Sequence, residues 1–513
     1  MVTSGTSVVL GIDLGTTAVK CAVHDRDGRQ LGSSSSEYEL KTPGELLVEV
    51  AVATYWSAVC DVVRMAVHRA GVRARDVAAL AISCQGETLL PVDVRGEPLR
   101  DAIVWLDSRA QEEATELAEA YKEVLYEVTG QPEMVPTWPA AKALWLSRHE
   151  PGVVRDTAKL VLLEDYVLAR MTGEYACEAS LATSTCYWDF RKKTWWREML
   201  DRVGFDAHQL PLIVEPGSPI APLRPQVAEE LGLTPKTLVC AGALDQACGA
   251  IGVGNVWPGI FSENTGAAVA ICSTLDGPYL DPERRMPCHY HGVPDTYMFH
   301  TFTGGGVVLQ WYRDRFCEAE VSVAKTSGLS AYGLLDAAAA SVAPGAEGLT
   351  VIPHLQGAMS PESNPHARAA FLGMTLRHGK EHIARAILES IAFVVRHNIE
   401  VIESLGIAVD TIRALGGGAR SDVWKQIEAD VTGRPVSTTV DPDSAATLGA
   451  SVLAGVALGW YRDPNEAAGK MVTIRRTFMP EDANAETYDE AYARFRLANR
   501  LLGPTYVGAG SGS

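Results

Sequence analysis

The stretch Gly242-Ala-Leu-Asp245-Gln246-Ala-Cys-Gly249-Ala-Ile-Gly252-Val-Gly254 stands near the middle of a chain of 513 residues. An apolar run, Thr237-Leu-Val-Cys-Ala241, leads into it and reads as a buried strand. Asp245 is then a carboxylate at a strand end, among small residues that let other groups come close. A capping or turn aspartate has the same local pattern, so its meaning depends on what flanks it.

Downstream, the composition shifts at Gly254-Asn-Val-Trp-Pro-Gly259, which reads as a domain boundary. A hairpin follows: strand Ile260-Phe-Ser-Glu263, tip Asn264-Thr265-Gly266, return Ala267-Ala-Val-Ala-Ile271. The chain opens the same way, with strand 8–14, tip Gly15-Thr16-Thr17 and return Ala18-Val-Lys-Cys-Ala-Val23. Two apolar hairpins with Thr/Gly tips thus begin two halves, a weak internal duplication. The expected division is 1–254 and 255–500, with 501–513, ending Gly508-Ala-Gly-Ser-Gly-Ser513, as a disordered tail.

Periodicity adds helices at 52–70, 108–128, 140–170, 382–406, 422–432 and 445–459, and strands at 29–38, 78–84, 411–415 and 436–440. Strands alternating with helices predict α/β layers. A net charge of −18 without a long basic run argues against nucleic-acid binding. Ten scattered cysteines form no C-x-x-C pair and read as reduced core thiols in a cytoplasmic protein. The first residues lack the basic and apolar regions of a signal peptide. The uncharged stretch Ser444 to Tyr461 is rich in Gly, Ala and hydroxyl residues and predicts a buried helix rather than a membrane span.

Three places can carry chemistry. The tip Gly15-Thr16-Thr17 offers backbone N–H groups and two hydroxyls to a phosphate, and Asp13 before it could hold Mg²⁺ through water. Gly416-Gly417-Gly418-Ala419-Arg420-Ser421, between a strand and a helix, offers bare backbone and a helix N-terminus to a flat ligand. Neither is a Walker loop nor a dinucleotide fingerprint. Gln85 and Glu87 after one strand, with Trp105 and Asp107 after another, suit a neutral polyol, although Asp107 and Arg109 read equally well as a structural pair.

In order and spacing these pieces resemble the FGGY family of carbohydrate kinases, from about residue 8 to 500. Matching segments are Asp13-Leu-Gly-Thr-Thr, Gln85-Gly-Glu87, Trp105-Leu-Asp-Ser-Arg109 and Lys142-Ala-Leu-Trp-Leu146. Asp165-Tyr-Val-Leu-Ala-Arg-Met-Thr-Gly-Glu174, Gly242-Ala-Leu-Asp-Gln246, Gly373-Met-Thr, His382-Ile-Ala-Arg-Ala-Ile-Leu-Glu389 and Gly416-Gly-Gly-Ala-Arg-Ser421 continue the series. The resemblance implies two ribonuclease H-like domains of the actin and sugar-kinase type with an interdomain cleft. It implies ATP and Mg²⁺ as cofactors and Asp245 as general base, with Asp13 and Asp245 as the metal carboxylates. Gly15, Thr16, Thr17 and Thr265 would face phosphates and Gly417, Gly418 and Ala419 the adenosine. Gln85, Glu87, Trp105, Asp107 and Gln246 would bind the acceptor.

The chain departs from the family at Asn264-Thr265-Gly266, usually Gly-Thr-Ser, and at Gly357-Ala358-Met359, usually Gly-Glu-Arg. Glu87-Thr88 and Asp245-Gln246 look like the glycerol kinase branch, but Gly86 stands where that branch has arginine. The expected activity is ATP-dependent phosphorylation of a terminal hydroxyl. Three carboxylates balanced locally by Arg109 alone predict a neutral acceptor, and the space expected at Gly86 favours a four- or five-carbon ketose or polyol, xylulose-like or erythritol-like. An actin- or chaperone-like ATPase and an inactive regulatory paralogue are the alternatives. The partner is thus a small sugar or polyol, with no nucleic acid or membrane, and a homodimer is one assembly open to the chain.

Overall fold

The computed structural model describes residues 7–506. The chain start, where no signal peptide is expected, and the glycine-serine tail from 507 lie outside the described residues. Residues 501–506, placed in the tail by the sequence reading, continue the helix Asp482–Leu502 and close it with a turn at Gly503–Tyr506.

Contacts divide the chain into two compact units. The first comprises Met1–Trp257, Thr274–Phe299 and Ser444–Thr473; the second comprises Pro258–Ser273, His300–Asp443 and Ile474–Ser513. The break after Trp257 is close to the expected 254/255, but 274–299 and 444–473 pack with the first unit rather than with the half that contains them in sequence.

The reason for the second excursion is glycine. The helix Ala445–Ala457 lies directly on strand β1 (Val8–Leu14), where a Cβ on Gly11 would stand 1.8 Å from the Thr447 carbonyl oxygen. It also meets the helix Asp245–Gly252, because a Cβ on Gly252 would be 1.8 Å from the Ala445 oxygen and one on Gly449 1.9 Å from the Cys248 oxygen. Backbones this close exclude every other residue type. The uncharged stretch is therefore a buried helix, as its small residues predict, and among the described residues no helix is long and apolar enough to cross a membrane.

The first unit's main sheet comprises β1, β2 (Ala18–His24), β3 (Gln30–Glu37), β4 (Val77–Cys84), β5 (Pro219–Pro222) and β6 (Leu238–Leu244), in the order β5-β6-β4-β1-β2-β3. Strands β1, β4 and β6 are parallel, with β4 in the middle, while the hairpin partner β2 and the edge strand β5 run antiparallel. The second unit has β7 (Gly259–Thr265), β8 (Ala268–Leu275), β9 (Val409–Leu415), β10 (Val436–Thr439) and β11 (Ile474–Phe478), adjacent in the order β8-β7-β9-β10-β11. Its directions repeat the first unit's: an antiparallel hairpin, parallel neighbours, an antiparallel edge. The weak duplication of hairpins is thus a duplication of sheet topology.

Helix Val52–Ala70 falls where its apolar stripe predicts and ends at Gly71 in the left-handed conformation. The helices expected to fill 140–170 are Pro139–His149, Pro151–Asp156 and Leu163–Thr172, with the unexpected strand Lys159–Leu162 between the last two. Pro151 stops the first helix, since the residue before a proline avoids helical geometry. The strand joins a five-stranded sheet, in the order Lys41–Gly44, Leu47–Val50, Ala102–Ile103, Leu89–Val92, Lys159–Leu162, that fixes the segments following Glu87 and preceding Trp105. All ten cysteines are buried, and no disulfide joins any of them among the described residues.

Candidate active site

In the first unit, three neighbouring parallel strands end side by side. Asp13 lies at the end of β1 in register with Ser83 on β4, and Ser83 is in register with Ala243 on β6. Gln85 and Glu87 follow β4, and Asp245 follows β6 as the first residue of its helix. The carboxyl ends of parallel strands are where α/β sheets place ligands.

Asp13 accepts a hydrogen bond from Ser83 Oγ at 3.0 Å, and burial still raises its carboxyl above the usual range against the pull of Lys20. The Asp245 carboxyl is pushed up to about 8 by burial, then by Asp13 and Glu87; its Oδ1 accepts the Gln246 N–H at 2.7 Å. Burial also raises Glu87, which sits at φ 60°, a strained conformation for a residue with a side chain. Asp13 and Glu87 thus add to burial in raising the proton affinity of Asp245, and a cation beside Asp245 would relieve that repulsion. Among the described residues no group of three or more His, Cys, Asp or Glu is placed to hold a metal ion.

Groups behind this site hold it in place. Glu164 Oε1 accepts the Gly242 N–H at 2.8 Å, and Ser180 Oγ accepts the Leu244 N–H at 2.9 Å while donating to Glu178 Oε1 at 2.8 Å. Strand β6 is thus tethered at two points just before Asp245. Lys142, fully buried, donates to the carbonyls of Val104 at 2.9 Å and Trp105 at 3.4 Å; burial lowers its ammonium, opposed by Asp107 and Glu87.

The expected acceptor residues divide. Gln85 is buried, its Nε2 reaching Gly15 O at 3.3 Å and Tyr55 Oη at 3.4 Å, while its Oε1 has no partner. Trp105 Nε1 donates to Thr16 Oγ1 at 2.8 Å. Asp107 is fully buried, with Arg109 on both oxygens at 2.7 and 2.8 Å and the Val48 N–H on Oδ2 at 2.6 Å. The Asp107–Arg109 ion pair weighed as one alternative is thus present. Two expectations change. Gly86 leaves no hollow, since a Cβ there would stand 3.0 Å from Leu244 Cδ1. Arg109 is not the one local cation, because Lys142 lies beneath the same loop. At the hairpin tip, the Gly15 N–H closes the turn on Ala18 O at 3.0 Å rather than opening to a ligand.

In the second unit, a pocket of about 680 Å³ is lined by Thr265, Gln310, Asp336, Gly417, Gly418 and Trp424, among others. Gly417 is exposed and presents bare backbone to it. Gly418 is glycine for another reason: a Cβ would be 2.6 Å from Thr265 Cβ. Ala419, expected beside them, is buried and its N–H turns back to Gly416 O at 3.2 Å. Burial raises the Asp336 carboxyl, opposed by a hydrogen bond to Ser421.

Models of the FGGY family of carbohydrate kinases match this chain with their N-terminal domain over residues 8–252 and their C-terminal domain over 278–458. The chain belongs to that family. As an FGGY kinase it is an ATP-dependent carbohydrate phosphotransferase with the two-domain sugar-kinase fold. It is 30% identical to the xylulose kinase of Escherichia coli K12 over 96% of this chain and 99% of that one. It is 29% identical to the autoinducer-2 kinase of Klebsiella pneumoniae over 96% and 93%. The crystal structure of gluconate kinase from Lactobacillus acidophilus superposes with a TM-score of 0.88 at 26% identity, covering 98% and 99% of the chains.

The sequence reading did not single out Gln310, Asp336, Glu164, Glu178 or a role for Lys142. Asp336 carried a signal, as the one charge in the apolar helix Ala331–Ala340. Glu164 and Lys142 are buried polar groups whose partners lie far along the chain, Glu178 is buried against its own neighbours Ser180 and Leu181, and Gln310 is an exposed residue of the pocket wall.

Proposed function

We propose that this FGGY kinase moves the γ-phosphoryl group of ATP to a terminal hydroxyl of a neutral sugar or polyol, with a xylulose-like ketose favoured. The observation that carries the proposal is Asp245: a carboxyl with a value near 8, at the end of a parallel strand tethered from behind. A base whose proton affinity sits near working pH accepts a hydroxyl proton efficiently. In the proposed reaction Asp245 takes that proton as the acceptor oxygen attacks the γ-phosphorus. Asp13 and Asp245 would hold Mg²⁺, which supplies charge neutralisation to the transferring group. Trp105 donates to one lone pair of Thr16 Oγ1, so the Thr16 hydroxyl keeps its proton for a phosphate oxygen. The pocket lined by Thr265 and Gly417 is the proposed nucleotide site.

Neutral acceptors are favoured by charge. Arg109 is engaged by Asp107, and Lys142 is turned onto backbone carbonyls, so neither cation of the cluster is directed to a substrate anion, while Glu87 and Asp245 stand at the strand ends. The preference for a ketose no longer draws on Gly86. It draws on likeness along the whole chain to xylulose kinases, and the autoinducer-2 and gluconate kinases among its relatives define the competing acceptors. A coupled assay of ADP release over xylulose, ribulose, erythritol, glycerol and gluconate tests the reading. Highest kcat/KM on a neutral ketose or short polyol supports it; highest on gluconate refutes the neutral-acceptor claim. Equal ADP release with and without any sugar would favour the ATPase alternative.

A further inference from the structure

Thr16 and Thr265 occupy equivalent hairpin tips, and their hydroxyls are wired in opposite senses. Thr16 accepts from Trp105 Nε1, a group that can only donate, and so retains a proton to offer. Thr265 Oγ1 instead donates to Glu263 Oε2. Glu263 and Thr265 alternate on β7 and share a face, so the contact follows from strand geometry. A threonine spending its proton inward turns only lone pairs toward the pocket it lines, and lone pairs repel a phosphate oxygen.

What stands behind Glu263 supplies a remedy. Lys425 Nζ contacts Glu263 Oε1 and, at 2.5 Å, Glu428 Oε2. The side chains of Lys425 and Glu263 are 1% exposed and that of Glu428 is 2% exposed. Glu428 Oε1 has no partner. Lys425 and Glu428, both on the helix Asp422–Thr432, are the charged groups facing Glu263, and Thr265 is its hydroxyl neighbour. Two carboxyls against one ammonium leave an uncompensated charge in a dry interior unless one carboxyl carries a proton.

We infer that Glu263 takes a proton from solvent, donates it in a hydrogen bond to Thr265 Oγ1 and so turns the Thr265 hydroxyl proton into the pocket, coupling the binding of a phosphate group to the uptake of a proton. No covalent bond other than O–H at Glu263 is made, and the proton comes from bulk water or buffer. Burial and then Glu428 hold the Glu263 carboxyl above the usual range, with Lys425 opposing, which favours the protonated form. The inference rests on the nucleotide reading of this pocket and deepens it by assigning Glu263 as a positioning residue for Thr265.

The test is calorimetric titration of ADP into the full chain without sugar, from about pH 7.5 to about pH 9.5, in buffers of differing ionisation heat, a range where the ADP phosphates are already deprotonated. The wild type should take up a growing fraction of a proton, toward about one per ADP at the upper end, with affinity falling up to about tenfold per pH unit. Glu263→Gln, whose amide donates to Thr265 at every pH, should bind ADP without proton uptake and with a flat pH profile. Thr265→Val should bind more weakly and also without uptake, and it carries the test if Glu263→Gln does not fold. Wild-type proton uptake in both variants, or no uptake by the wild type, overturns the inference while leaving the nucleotide site intact. Failure of the wild type to bind ADP at all overturns the nucleotide reading and this inference with it.

Discussion

Trp105 Nε1 lies 2.8 Å from Thr16 Oγ1, so a residue expected at the acceptor and a residue expected at the phosphates share one hydrogen bond. Trp105→Phe removes that donor and keeps most of the ring. A neutral hydrogen bond contributes about 0.5–1.5 kcal/mol net, so kcat/KM should fall about threefold to tenfold. Thr16→Val should cost more, and the double variant should lose less than the product of the single losses, because the two residues act together. Multiplicative losses in that cycle would mean the contact is incidental.

Asp107 is predicted to matter for stability rather than for acceptor affinity. Its oxygens are occupied by Arg109 and by the Val48 N–H, and none of its surface is exposed. Asp107→Asn leaves Arg109 with Glu49 as its remaining carboxylate partner, at 2.7 Å, and should cost on the order of 3 kcal/mol. The thermal midpoint should drop while the acceptor KM of the folded enzyme stays near wild type. A raised acceptor KM with an unchanged midpoint would return Asp107 to the binding site.

Much of this was open to a reader of the sequence. Helix Val52–Ala70, both threonine-tipped hairpins and Asp245 at its strand end followed from periodicity and small-residue patterning. What escaped was whatever depends on contacts distant in sequence. Gly252 and Gly449 are glycines because each lies against a backbone about two hundred positions away, so nothing local could place the helix Ala445–Ala457 in the first unit. Buried charge was equally hidden. Glu263 and Lys425 look like surface residues in the sequence and find each other across 162 positions. Gly86 misled because an absent side chain was taken for empty space that Leu244 fills.

Activity and stability should respond to pH in opposite directions. Asp245 and Asp165 both have values near 8, raised chiefly by burial, against an unfolded value near that of an ordinary carboxyl. Between about pH 4 and about pH 8 the folded state then binds protons the unfolded state does not, so stability falls as pH rises through that window. The base must be deprotonated to act, so kcat/KM rises through the same upper range. Thermal melts and initial rates from about pH 5.5 to about pH 9 check both trends, and a midpoint that rises with pH across this window would contradict the protonated assignment.

The central claim is that Asp245 is the base of a carbohydrate kinase, and single-turnover phosphoryl transfer by Asp245→Asn tests it most directly. With the acceptor identified by the substrate screen, the variant should bind ATP as the wild type does and transfer phosphate ~10²–10⁴-fold more slowly. A variant that binds ATP and transfers at a near wild-type rate would show that the proton leaves by another route, and the assignment of Asp245 would be wrong.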